Sequence, residues 1–167
     1  MTSITVPSAG NDILASWGES VADALNLLGI ILSSNVTTSS ASFADLTGLS
    51  FTADSGKNYN IEFFLTYECS STSGGPVVGY DGPSGDCLFY VVYAGETAAD
   101  SSTVTQVSAE DSGAGVATVD TADAKRVIRG WAIFQATATG TFTLRMKRNT
   151  AGTVTFHKGG AMRVVSS

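Results

Sequence analysis

The sequence is poor in the residues that most often carry chemistry. Among its 167 residues are one histidine and two cysteines, and only 14% are charged. No GxSxG-type nucleophile signal accompanies His157, which argues against a Ser-His-Asp triad. One histidine and the distant Cys69 and Cys87 do not form a recognised zinc ligand set. We therefore predict a protein that is not an enzyme and that uses no cofactor and no metal.

Two further chemistries would start from acidic residues in predicted loops. Asp81, Asp86, Glu96 and Asp100 lie in adjacent loops and offer carboxylates of the kind that hydrolyse glycosides. Asp81 and Asp86 also suggest calcium, but their spacing matches no known calcium loop. Acids in turns are usually solvated, so this simpler interpretation is favoured for all four residues.

Long apolar runs and a basic leader are also missing. The most apolar stretch, 24–32, is interrupted by Asn26 and Gly29 and falls short of the ~20 residues that span a bilayer. No basic region precedes an apolar stretch at the N-terminus, so no secretory signal and no membrane partner are predicted. In a reducing cytoplasm Cys69 and Cys87 are expected as two buried thiols. A disulfide is the alternative, because both share inward parity on strands that bracket a long loop.

Basic residues are scarce in the first part of the chain, and acidic residues are absent from the last part. Residues 1–124 hold all 15 acidic residues and a single basic one, Lys57, whereas 125–167 hold the remaining basic residues and no acid. One interpretation is that late basic strands pair with early acidic ones. The other is a basic patch for an acidic partner, formed by Lys125, Arg126, Arg129, Arg145, Lys147 and Arg148. Nucleic acid is not expected as that partner, because the chain as a whole is acidic and its basic segment lacks interleaved aromatics.

Strand patterns dominate what is present. In the stretch 59–67, Tyr59, Ile61, Phe63, Leu65 and Tyr67 alternate with mostly polar residues, which predicts a half-buried strand with a firm register. Eight to ten such strands, with turns every eight to twelve residues, predict an antiparallel jelly-roll-like β-sandwich over 30–167. The stretch 70–86 is predicted as the longest irregular loop. Trp131 is expected to be a core or interface anchor.

Residues 1–29 break the strand pattern. Residues 11–29 show helical spacing that places a group of apolar side chains on one stripe. Gly29 is expected to end this helix in a left-handed conformation. The stripe consists of Ile13, Leu14, Trp17, Val21, Ala24, Leu25 and Leu28. It must be covered either by the chain's own sheet or by copies of itself, and its place at the start of a β domain favours copies, as an oligomer interface. Before it, an arm with Ile4, Val6 and Pro7 is predicted to be extended.

Several long segments resemble a known group of proteins. They include ITVPSAGNDILASWGESVADALNLLG, GKNYNIEFFLTYECS, the GYDGP loop and RVIRGWAIFQATATGTFTLRMKRN. Together they are similar to small virion proteins of tailed bacteriophages, of the capsid decoration, head-fibre, minor tail and tail-fibre types. The resemblance implies a homotrimer on the virion surface, made in the host bacterial cytoplasm. It implies an arm (Ile4, Val6, Pro7) that anchors to the major capsid protein or another virion protein.

Two functions follow from this resemblance. The first is a structural role, as a capsid decoration (cementing) or head-fibre protein. The alternative is a tail-fibre or minor tail protein that binds a host-surface receptor or glycan. In that alternative a receptor-facing loop would present Tyr80, Asp81 and Asp86.

Overall fold

The structure is a computed structural model that describes residues 29–94, 102–107, 119 and 121–166. The predicted arm, the predicted helix as far as residue 28 and the acidic residues Glu96 and Asp100 lie outside the described residues. The described residues form eleven strands. They are β1 (Ile30–Ile31), β2 (Val36–Thr38), β3 (Ala44–Ala53), β4 (Asn58–Cys69), β5 (Pro76–Asp81), β6 (Gly85–Ala94), β7 (Ser102–Val107), β8 (Arg126–Ala136), β9 (Gly140–Arg148), β10 (Val154–Phe156) and β11 (Ala161–Ser166).

The strands form two antiparallel sheets. The large sheet has the order β1-β11-β4-β8-β6-β7, and β10 pairs with the end of β4 and with β2. The small sheet has the order β3-β9-β5. Buried residues of both sheets belong to one hydrophobic core, so the two sheets pack face to face. The predicted class, an antiparallel β-sandwich, is confirmed for the described residues.

Period-two alternation places the core between the sheets. In β4 every residue of the set from Tyr59 to Tyr67 is buried, and Cys69 continues that set. Aromatic rings meet across the interlayer space. The ring centroids of Phe51 and Tyr59 are 5.0 Å apart, and those of Phe134 and Phe142 are 5.2 Å apart. These contacts link β3 to β4 and β8 to β9, and therefore fix one sheet over the other.

The prediction of a long irregular loop over 70–86 is wrong. β5 occupies Pro76–Asp81, a short turn at 82–84 follows, and β6 already begins at Gly85. β5 pairs only with β9, so it is an edge strand, where a proline at the first position removes no ladder hydrogen bond that the sheet needs. Its five residues from Pro76 to Tyr80 are all buried, so it lacks the apolar–polar alternation that identifies a strand.

β3 runs through Thr47-Gly48 as one strand. In β3, Asp45 pairs with Arg145 and Ser50 pairs with Thr143, so β3 bulges between these two pairs. Gly48 has φ +100°, a conformation that favours glycine. The bulge allows Leu46 and Leu49, three residues apart, both to be fully buried.

The disulfide alternative is excluded by the strand order. Cys69 lies on β4 and Cys87 on β6, and β8 separates these strands. Cys87 pairs with Phe134, which pairs with Tyr59, so Cys69 is displaced by ten residues along β4, about 33 Å at ~3.3 Å per residue. Both cysteines are in the thiol form. The expectation of two unbonded thiols is confirmed, although Cys87 is only half-buried.

Gly130 is the tightest point of the β4–β8 ladder. It pairs with Phe63, whose ring covers the glycine, and a Cβ added at Gly130 would lie 2.0 Å from the ring atom Cζ. We expect Gly130→Ala to lower the free energy of unfolding by about 1–3 kcal/mol, because the ring must leave its rotamer. Urea unfolding measures this change. Adding Phe63→Leu to Gly130→Ala should recover part of the loss, and strictly additive losses would contradict the contact.

Candidate interaction face

The large sheet carries an exposed apolar surface on its outer side. We call it the apolar face, and it consists of Ile31, Phe64, Leu88, Tyr90, Trp131 and Ile133. The exposed fractions of Ile31, Phe64 and Ile133 are 57%, 48% and 53%, and Trp131 is 44% exposed. Free faces of antiparallel sheets are usually polar, so this surface differs from the ordinary pattern.

The register of the strands brings these residues together. Trp131 on β8 pairs with Glu62 on one side and with Tyr90 on the other. The Tyr90 and Trp131 rings stack with centroids 5.4 Å apart and an angle of 18° between their planes. One row along, Ile133 pairs with Leu88. Segments of both β6 and β8 are apolar on both faces, which is why their outward residues form a continuous aromatic and aliphatic surface.

The outer side of the small sheet has the opposite character. Threonines at 52, 141 and 143, together with Ser50, pair across β3 and β9 on this side, which we call the polar face. Arg145 extends from the same side: its Nε is 3.0 Å from Asp45 Oδ1, and its Nη1 is 3.9 Å from Asp81 Oδ2. The sandwich is therefore two-sided, with a hydrogen-bonding surface on one sheet and an apolar surface on the other.

The segregated charges meet between strands, as the first interpretation of the charge pattern predicts. Arg145 pairs with two early acids, and Arg163 on β11 lies 3.9 Å from Glu62 on β4. Arg126 does not contribute to an exposed basic patch, because it is 7% exposed and donates hydrogen bonds to the carbonyl oxygens of Thr121 and Ala124. A patch formed by all six basic residues is thus incompatible with the structure.

The described residues that were considered as catalytic or metal-binding do not form such a site. His157 lies just beyond β10 with Nε2 at 3.2 Å from Glu68 Oε2, which is a structural ion-pair position when the ring is protonated. Within the described ranges, no group of three or more His, Cys, Asp or Glu residues is arranged to hold a metal ion. The described residues contain no helix that is long and apolar enough to cross a membrane.

Tyr80 is not in a receptor-facing loop, and this part of the prediction is corrected. It lies on β5, is 4% exposed, and stacks against Phe142 with centroids 5.5 Å apart and nearly parallel rings. Asp81 and Asp86 are exposed on either side of the turn at 82–84, so any receptor role there stays a prediction. Trp131, expected in a core or an interface, is excluded from the core by its exposure. The apolar face could have been suspected from sequence, because β6 and β8 carry apolar residues at both inward and outward positions.

Comparisons with known proteins give only distant likenesses. No protein-family model matches the chain, and no curated protein matches it. A Clostridium thermocellum xylanase 10B structure, with CBM22-1 and GH10 modules complexed with xylohexaose, is 11% identical over 82% of this chain, with a TM-score of 0.33. Infectious bursal disease virus structures of the Gx and Gt strains are 12% and 11% identical over 84% and 83% of this chain, with TM-scores of 0.22 and 0.23. The matches cover 28%, 35% and 39% of those chains, so this chain spans well under half of each.

Removing Arg145 should cost more stability than removing Arg163. The Arg145 side chain is 19% exposed and also donates to the carbonyl of Phe43, whereas Arg163 is 58% exposed and makes one long contact. We expect Arg145→Met to lower the free energy of unfolding by about 1–3 kcal/mol, since two carboxylates lose their shared cation. Arg163→Met, the matched control, should cost less than about 1 kcal/mol. Urea unfolding of both variants measures the difference, and equal losses would contradict this ranking.

Proposed function

We propose that the protein is a non-catalytic structural component of a bacteriophage virion, displayed on the particle surface as a homotrimer of jelly-roll-like sandwiches. The observation that supports this proposal is the two-sidedness of the sandwich. The polar face suits exposure to solvent, and the apolar face suits burial against protein. A capsid decoration or head-fibre role needs this kind of rigid, oriented domain.

The orientation follows from where the described chain begins. Gly29 and β1 lie at the edge of the large sheet, whose outer side is the apolar face. In the proposal this side points toward the particle, and the arm with Ile4, Val6 and Pro7 reaches the major capsid protein or another virion protein. Ten extended residues span up to ~35 Å, enough to add a strand to a neighbouring sheet edge.

The proposal predicts that attachment resides in the arm. We expect the full chain to be a trimer by light scattering, and a variant that lacks residues 1–10 to remain a folded trimer. That variant should no longer bind particles stripped of this protein, as judged by co-sedimentation.

Asp81→Asn and Asp86→Asn provide the matched controls for this experiment. Both residues are exposed on either side of the turn at 82–84 and do not belong to the arm, so both variants should bind particles as the unmodified chain does. A monomeric full chain would contradict the proposed assembly. Normal binding by the truncated trimer, together with loss of binding in the two controls, would place the attachment end at the turn instead.

A second candidate function is recognition of a host-surface glycan, as in a tail-fibre or minor tail protein. The exposed Trp131 ring, stacked on Tyr90, favours it, because the indole face that Tyr90 does not cover can pack against the apolar side of a sugar ring. This function predicts millimolar or tighter binding of purified host glycans, lost in Trp131→Ala and retained in Asp81→Asn. Isothermal titration measures it, and unchanged binding in Trp131→Ala would exclude the ring pair as the site.

A further inference from the structure

We propose that residues 11–28 fold back across the apolar face of the same chain and cover it. The inference concerns a single chain and holds whether or not the protein is a virion component. It also replaces the expectation that the helical stripe is buried among copies of itself. Four observations support it: the position of Gly29, its backbone conformation, the length of the segment and the chemistry of the two surfaces.

The chain enters the sheet level with the aromatic part of the apolar face. Ile30 pairs with Met162, and Met162 pairs with Phe63, so Gly29 is level with Arg163 and Glu62. The same row continues through Trp131 to Tyr90. β1 runs so that residues before Gly29 would extend toward the row of Ile133 and Leu88. A segment that turns across the sheet from Gly29 would meet these apolar residues.

Gly29 has the conformation that ends a helix. Its φ is +91°, in the left-handed region that glycine adopts immediately after a helix C-terminus. An added Cβ there would lie 3.4 Å from the carbonyl oxygen of Met162, so the Gly29 backbone is in close contact with β11. The left-handed conformation predicted for Gly29 from sequence is therefore confirmed. A preceding helix that ends here would be able to turn over the sheet.

The segment has the right length to cross the face. Eighteen residues in helical conformation would extend ~27 Å. From β1 to β6 the large sheet contains four interstrand spacings, which amount to ~19 Å. A helix that begins over β6 and ends near Gly29 is therefore long enough to cover Leu88, Trp131 and Phe64.

The two surfaces are complementary in polarity and charge. The predicted stripe presents large apolar side chains, including Trp17, Val21 and Leu25, to a face of similar character. Between residues 11 and 28 the sequence has three acids and no basic residue. The outer side of the large sheet carries the exposed Arg129, which pairs with Phe64, and the exposed Arg163, with the acid Glu62 between Arg163 and Trp131. One intrachain contact would bury both apolar surfaces, whereas a stalk of helices would bury the stripe and leave the face in water.

Disulfide trapping tests the contact directly. Val21 is eight residues before Gly29, ~12 Å along a helix, and β8 is three strand spacings from β1, ~14 Å. We expect the full chain carrying Val21→Cys and Ile133→Cys to form an intrachain disulfide under mild oxidation, identified by peptide mass. The matched control pairs Val21→Cys with Thr143→Cys on the polar face and should form none. The native Cys69 and Cys87 point into the core and can be retained.

Two outcomes of the trapping experiment would overturn the proposal. An interchain disulfide between positions 21 and 133 would place the segment on a neighbouring copy. Absence of any disulfide at this pair, or an equal yield in the control, would show that the segment does not lie on the face. Oligomeric state and particle binding are measured separately, so failure of the virion proposal is distinguishable from failure of this one.

A stability cycle provides a second test that needs no cysteine chemistry. We expect Val21→Asp and Ile133→Asp each to raise the unfolding equilibrium constant about tenfold or more, because each places a carboxylate in the same buried contact. The double variant should be no less stable than the less stable of the two single variants, since either substitution alone already breaks the contact. An Ile133→Asp variant as stable as the unmodified chain, or fully additive effects, would overturn the proposal.

Discussion

The pairing of β4 with β8 sets the arrangement of the large sheet. These two long strands are joined through ten consecutive residue pairs, from Asn58 with Gln135 to Tyr67 with Arg126. Because side chains alternate between the two faces of a strand, this register determines which residues of both strands point into the core and which point outward. Inward it produces the layer of Tyr59, Phe63 and Phe134, and outward it produces the row that contains Trp131. A slip by one residue would exchange the core with the apolar face.

A strand could be predicted from sequence when its own residues showed which side is buried. It could not be predicted when its burial depended on residues of neighbouring strands. β4 could be predicted from its own alternation of aromatic and polar residues. β8 could be located, but its inward face could not be chosen from sequence, because the inward residues include Gly130 and Ala132 while Trp131 and Ile133 point outward. Gly130 and Ala132 can point inward because the rings of Phe63 and Phe89, on the neighbouring strands, fill the space beside them. The sequence of β8 alone carries no information about these rings. β5 was missed for a related reason: its residues are buried on both sides, so no period was visible.

The candidate surface was hidden from the sequence by the same lack of register information. Apolar residues on both faces of β6 and β8 predict central strands, and they do not reveal which set remains uncovered. The strand order supplies this answer, since it aligns Tyr90, Trp131 and the entry of the chain at Gly29 in one row. Charge behaved differently: the separation of acids and bases along the chain predicted contacts such as Arg145 with Asp45, because antiparallel pairing brings distant segments together. Tyr80 was predicted to lie in a loop because glycines and prolines surround it, although it belongs to the buried strand β5.

The proposed cover of the outer face of the large sheet by residues 11–28 can be measured on the intact protein by hydroxyl-radical footprinting, read by mass spectrometry. Rates at Trp131 and Phe64 are each compared with the rate of the same residue in the urea-unfolded chain. With the face covered, Trp131 and Phe64 are protected in the native protein to a degree comparable with the buried Tyr80 and Phe134. Native rates at Trp131 and Phe64 close to those of the unfolded chain, with Tyr80 and Phe134 still protected, would contradict it.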